Sequence, residues 1–189
     1  MLLAADAAFP NVATLVAGAP VRGSWWAHPK AHEIYHVTDA LGEHPDVIVS
    51  KLVSGKATYV YRDLWPAVLA IGSAGERWQT RGLSPLARKL LAAVDEAGAL
   101  RTDHVPSSGR GKASVGEAAR ELERRLLVYS EEVHTEAGRH AKQLETWQVW
   151  ARRAGIRARL SAATGRRQLE EIVVALNDRF SANGSLPWQ

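Results

Sequence analysis

Cysteine is absent from this 189-residue chain, which excludes disulfides, thiolate zinc sites, iron–sulfur clusters and cysteine nucleophiles. Any metal would have to be held by histidine and carboxylate, and a reducing cytoplasm is the expected compartment. Long apolar runs are also missing, since no stretch approaches the roughly 20 residues that span a bilayer. The apolar start Met1-Leu2-Leu3-Ala4-Ala5 lacks a basic leader and is interrupted by Asp6, so neither export nor membrane insertion is expected. There is no Gly-x-Ser-x-Gly elbow. Gly109-Arg110-Gly111-Lys112-Ala113-Ser114 lacks the glycine spacing and the hydroxyl residue after lysine with which a P-loop cradles phosphates. No internal repeat occurs, and no cofactor is expected.

What is present is ordinary globular composition, 46% apolar and 23% charged, in a chain long enough for two small modules. The 24 Lys+Arg against 20 Asp+Glu leave an excess of four positive charges. Residues 1–98 hold nine of each sign, so the whole excess lies in residues 99–189, with fifteen basic and eleven acidic residues. Segregation of that kind is a footprint of polyanion binding.

Periodicity and punctuation suggest the organisation. In residues 1–82, a short helix ends at Gly18, and a second carries Ile34, Val37 and Leu41 at helical spacing before Gly42. Val47 to Val53 and Ala57 to Tyr61 then flank Ser54-Gly55-Lys56 as a β-hairpin. Trp65-Pro66 opens another short helix, and Gly72 to Gly82 reads as a connection. In residues 83–150, Ser84-Pro85 starts a helix that Gly98 closes, and Thr102 caps a short second helix. Ser114-Val115-Gly116-Glu117 is a capping box for a third helix, burying Val115, Ala118, Leu122 and Leu126. A hairpin follows, from Leu127 to Val133 and from Ala141 to Trp147. Residues 151–189 read as two helices, the second with Leu169, Ile172, Val173, Leu176 and Phe180 on one side. The expected fold class is α+β: an N-terminal helix and β-hairpin module, a winged helix in the C-terminal half, and C-terminal helices.

In a winged helix the third helix enters the major groove and the hairpin reaches the backbone or minor groove. The candidate contacts are therefore Arg120, Arg124 and Arg125 on the helix, Arg110 and Lys112 before it, and Arg139, His140 and Lys142 on the wing. Glu117, Glu121 and Glu123 share that helix, so a solvated face with an ion pair such as Glu121–Arg125 is the competing reading. A cleaner cluster comprises Arg152, Arg153, Arg157, Arg159, Arg166 and Arg167, with no acidic residue between first and last. Such a run attracts phosphate with steep salt dependence, unless it is merely a solvated connection.

Two further patterns point elsewhere. His32-Glu33-Ile34-Tyr35-His36 matches HExxH, which on a helix sets two imidazoles on one face to hold zinc with the glutamate as base. His28 lies four residues earlier, where it could complete a three-histidine stripe, but Pro29 limits the helix and no third-ligand motif follows. Trp25, Trp26, Trp65 and Trp78 are interleaved with Lys51, Lys56 and Arg62. They could stack bases, although burial of Trp65 and of one member of the Trp25-Trp26 pair is the plainer expectation.

The stretch from Glu121 to His140, Glu-Leu-Glu-Arg-Arg-Leu-Leu-Val-Tyr-Ser-Glu-Glu-Val-His-Thr-Glu-Ala-Gly-Arg-His, with Leu144-Glu145-Thr146-Trp147 after it, resembles winged-helix proteins related to the bacterial alkylpurine DNA glycosylases AlkZ and YcaQ. The similarity covers roughly residues 84–153. It implies DNA as partner and a place near DNA repair. The catalytic Gln-x-Gln or Gln-x-Asp signature of those enzymes has no match, since Gln79, Gln143, Gln148, Gln168 and Gln189 stand apart, and no catalytic residue carries over. The leading expectation is a DNA-binding winged helix, glycosylase-like if it is an enzyme at all, with homo-oligomers allowed. The alternatives are a winged helix used for protein interaction or dimerisation, and a zinc-dependent hydrolase built on His32, Glu33 and His36.

Overall fold

Local signals account for most element boundaries in the computed structural model, which describes residues 1–3, 8–106, 114–135, 138, 140–157 and 159–189. The chain divides into two compact units, Met1–Ala67 with Ala163–Gln189, and Val68–Ala162.

In the first unit, α1 (Val12–Ala17) begins where the Asn11 side chain accepts the Thr14 N–H at 2.8 Å and stops at Gly18 with φ 84°. Helix α2 (Ala31–Gly42) buries Ile34 but leaves Val37 exposed. Strands β1 (Val47–Ser50) and β2 (Thr58–Tyr61) pair antiparallel, with Val47 opposite Tyr61 and Ser50 opposite Thr58. The turn between them is longer than the sequence suggests. Residues 51–57 leave the ladder because the Thr58 hydroxyl accepts the Val53 N–H and donates to the Lys56 carbonyl, both at 3.0 Å, while the Ser54 N–H donates to the Ser185 carbonyl at 2.7 Å.

Helix α3 (Trp65–Gly72) opens with a buried indole that donates to the Val60 carbonyl at 3.0 Å. The other expected burial fails: Trp25 is half-buried and Trp26 is 63% exposed, the two rings stacking on each other at 3.9 Å. They sit in a single 3-10 turn before α2, too short to present an inward face.

The last helix of the chain, α8 (Ala162–Phe180), buries Leu169 and Val173 and belongs almost wholly to the first unit. Gly165 permits this arrangement, because a Cβ there would lie 2.8 Å from the Ala67 carbonyl oxygen. The tail then folds back on α8: Asn177 exchanges two 2.8 Å hydrogen bonds with the Gly184 backbone, and the Trp188 indole donates to Glu170 at 2.6 Å.

The second unit contains a helix that the sequence pattern does not announce. The short α4 (Arg77–Thr80) starts with a reciprocal capping box between Glu76 and Gln79. Helix α5 (Pro85–Ala97) is capped by the Ser84 hydroxyl at 3.2 Å from the Ala87 nitrogen. Strand β3 (Ala99–Arg101) leads into a 3-10 turn, Thr102–His104, where the second helix was expected. Helix α6 (Val115–Arg124) begins with the Ser114–Glu117 capping box. Strands β4 (Tyr129–His134) and β5 (His140–Glu145) form a hairpin, and β3 joins on the free side of β5, giving an antiparallel sheet in the order β3-β5-β4. Helix α7 (Trp147–Arg153) follows directly. Leu90, Val94, Ala119, Leu122, Val128 and Leu144 are buried together, so α5 and α6 pack on one face of this sheet.

A dense polar joint closes the end of α6. Leu126 has φ 52°, and its carbonyl accepts the buried Trp147 indole at 2.7 Å and the Gln79 amide at 3.3 Å. The Arg125 guanidinium donates to the carbonyls of Trp78, Gln79 and Arg81 at 2.9, 3.3 and 2.8 Å. One arginine thereby ties down the α4 segment, whose glutamine is fully buried. The resulting structure mixes helix and sheet, as an α+β class requires. Among the described residues no helix is long and apolar enough to cross a membrane.

Gly72 abuts the Trp147 ring so closely that a Cβ would overlap the indole. Because that ring is fully buried and hydrogen-bonded, Gly72→Ala is expected to destabilise the protein by about 1–3 kcal/mol. The reading is a lower urea midpoint at an unchanged m-value; a midpoint equal to wild type would contradict the close approach.

Candidate nucleic-acid interface

The outward side of α6 carries Glu117, Arg120, Glu121 and Arg124, while Ala118, Ala119, Leu122 and Glu123 turn inward. Arg120 and Arg124 are four residues apart, hence one above the other, and neither makes an ion pair with a described residue. Two carboxylates accompany them. Glu117 is held below the usual glutamate range, first by the hydrogen bond from the Ser114 backbone, then by the Ser114 side chain and the nearby Arg120 charge. Glu121 accepts the Ser84 N–H at 3.0 Å and lies 3.9 Å from Arg125. Arg125, pointed at carbonyls, is a structural strut and not a free cation.

The hairpin gives up more of its expected charge. Lys142 pairs with Glu123, a buried carboxylate on α6, and the Ser130 hydroxyl donates to the same oxygen. The other Glu123 oxygen has no hydrogen-bond partner among the described residues. The Lys142 N–H meanwhile bonds the Thr102 hydroxyl at 2.9 Å. His140 faces Glu132 at 2.9 Å on the exposed tip, with the His134 ring 4.7 Å away. Arg110, Lys112 and Arg139 lie outside the described residues.

Helix α7 sorts the arginine cluster. Thr146 caps its start, and Trp147, Trp150 and Ala151 are buried, which leaves Arg152 and Arg153 exposed at the C-terminal end, where the helix dipole favours cations. Arg153 is spent locally. It donates to Glu131 at 2.9 Å and Glu145 at 3.2 Å, and its guanidinium stands 5.8 Å from the Tyr129 ring. Burial alone would lower its pKa, but the hydrogen bonds and charge of Glu131 and Glu145 outweigh that and raise it. Tyr129 is pushed up as well, by burial first and by the Glu131 carboxylate next. Arg152, Arg157 and Arg159 are exposed, and none makes an ion pair with a described residue. Arg166 and Arg167 fall on α8, in the first unit, with Arg167 4.0 Å from Glu171.

The histidine stripe is only partly realised. His32 and His36 share a face of α2 with their Nε2 atoms 3.1 Å apart. His28 precedes the helix and its Nδ1 accepts the Lys30 N–H at 3.1 Å, so it does not extend the stripe. Among the described residues there is no group of three or more His, Cys, Asp or Glu side chains suited to a metal ion.

Sequence reasoning missed the neutralising residues Glu131 and Glu145, and it set Glu123 on a solvated face where the structure buries it against Lys142. Strand alternation held a clue: Tyr129 and Glu131 are two apart on β4, and Glu145 lies opposite Tyr129, so one face gathers two carboxylates beside an aromatic ring. No family model, curated protein or solved structure matches this chain.

The Lys142–Glu123 pair is expected to matter to folding. Lys142→Met strands a buried carboxylate and should cost about 2–3 kcal/mol, discounted from a fully buried pair because the lysine is partly exposed. Lys142→Met/Glu123→Gln should recover most of that in chemical denaturation; a double variant no better than the single would reject the pairing. Glu117 supplies a pH-dependent part. Since its folded-state pKa is depressed, its contribution is intact above the ordinary glutamate range, about pH 4–5, and is lost as pH falls through the depressed value. Stability measured from neutral to acid pH should fall less steeply in Glu117→Gln.

Proposed function

We propose that the second unit is a winged helix that binds DNA chiefly through its phosphates, using Arg152, Arg157 and Arg159 after the hairpin and Arg120 and Arg124 on the third helix. The frame supporting this reading is the succession α5, β3, 3-10 turn, α6, β4, β5 with the sheet order β3-β5-β4. That succession is what a helix, a short strand, a tight second turn, a presented helix and a wing require. The resemblance of residues 84–153 to AlkZ- and YcaQ-related proteins points to the same partner.

The observation that carries the proposal is the sorting of charge. Arg125, Lys142 and Arg153 are used inside the unit, yet Arg152, Arg157 and Arg159 are left exposed with no ion pair to a described carboxylate. Guanidinium groups in that state are suited to phosphate, which they bind in a bidentate fork. On α6, Glu117 and Glu121 offset Arg120 and Arg124, which disfavours deep, sequence-reading insertion. Phosphate contacts fix position without reading sequence, so the binding proposed is tolerant of sequence. No base-excision step belongs to this reading.

The test is binding to a short duplex across a salt series. Wild type is expected to bind at low salt, with affinity falling steeply as salt rises. In Arg152→Ala/Arg157→Ala/Arg159→Ala the log–log salt slope should flatten by roughly 0.9 for each phosphate that the variant no longer neutralises. Arg153→Ala should instead lower thermal stability and leave the slope unchanged. Absence of binding at low salt, or an unaltered slope in the triple variant, would overturn the proposal.

A further inference from the structure

We propose that His32 and His36 form a two-point clamp for a late first-row transition-metal dication such as zinc, nickel or copper. The two residues are one helical turn apart on α2, with both rings exposed and set nearly edge-on at 81°. Their Nε2 atoms, the ring nitrogens farthest from the backbone, converge to 3.1 Å. With metal–nitrogen bonds of about 2.05 Å, that separation corresponds to an N–metal–N angle of about 100°, between the tetrahedral and square-planar ideals. The cation would sit off the line joining the two nitrogens, within bonding reach of both.

The donor set defines the class of ion. Neutral imidazole suits zinc, copper and nickel, whereas calcium and magnesium demand oxygen. The fold, not the ion, sets the spacing. Ile34 anchors α2 with no exposed surface, and the Tyr59 hydroxyl donates to the Thr38 carbonyl at 3.3 Å. Once one imidazole is ligated, the second therefore binds intramolecularly at high effective concentration. His28 is engaged with the Lys30 N–H and lies off the helix. The clamp thus leaves its other coordination positions to water or to an outside ligand, which separates it from the hydrolytic zinc centre that an HExxH spacing suggests.

Zinc chloride and copper(II) chloride titrated into the full chain provide the test. Calorimetry should show one equivalent of zinc, and the copper spectrum by electron paramagnetic resonance should carry splitting from two equatorial nitrogens. His32→Ala and His36→Ala should each weaken binding by about tenfold or more through loss of the chelate, with an unchanged circular dichroism spectrum because both side chains are exposed. His104→Ala, which lies in the other unit, should bind as wild type. Undetectable binding, binding that survives both α2 variants, or binding removed instead by His134→Ala would overturn the proposal.

Discussion

The backbone turn at Arg125 and Leu126 holds the second unit together through its carbonyls. A residue with a side chain adopts positive φ there at a cost of order 1 kcal/mol, offset by what the conformation allows. The Leu126 carbonyl is turned into the interior, where the Trp147 indole and the Gln79 amide meet it. The Arg125 side chain simultaneously satisfies three carbonyls around α4. Three elements distant in sequence are thus joined at one point, and each buried donor finds an acceptor, which matters because an unmade hydrogen bond inside a protein costs more than a made one contributes. Gly72 is small because the Trp147 ring occupies the place a side chain would need.

That joint also fixes where charge can lie. Once α7 is anchored by Trp147, its last turn brings Arg153 to the carboxylates of β4 and β5 while Arg152 faces outward. Adjacent arginines in one helix end therefore have opposite duties, one internal and one free. The same sorting operates on the hairpin, where Lys142 reaches across to α6 and His140 remains at the exposed tip. A basic segment read as one cluster is in fact split between structural pairing, open surface and a second unit.

Much of the architecture was legible because it is governed by short-range chemistry. The Ser114–Glu117 box, the Ser84-Pro85 start and the glycine stops at 18 and 98 act within a few residues, and each appears where the sequence places it. The hairpin of β4 and β5 follows from alternation. Other features were not readable. The α4 turn has too few residues to show periodicity, and the Thr58 hydroxyl that lengthens the β1–β2 connection acts through bonds no pattern announces. The expected burial of one member of the Trp25-Trp26 pair is not met, Trp25 being only half-buried, because aromatic character leads to burial only where a neighbouring surface exists to bury it.

The sequence by itself determined the absence of cysteine chemistry, the concentration of positive charge in the later half and the starts of α5 and α6, because composition and i-to-i+4 interactions require no knowledge of distant contacts. Tertiary structure alone decided which cations are free. Pairing of Arg153 with Glu131 and Glu145, and of Lys142 with Glu123, depends on strand register and on the angle at which a helix leaves the sheet. Coulomb attraction falls with real distance, and distance through space is a quantity the linear chain does not contain.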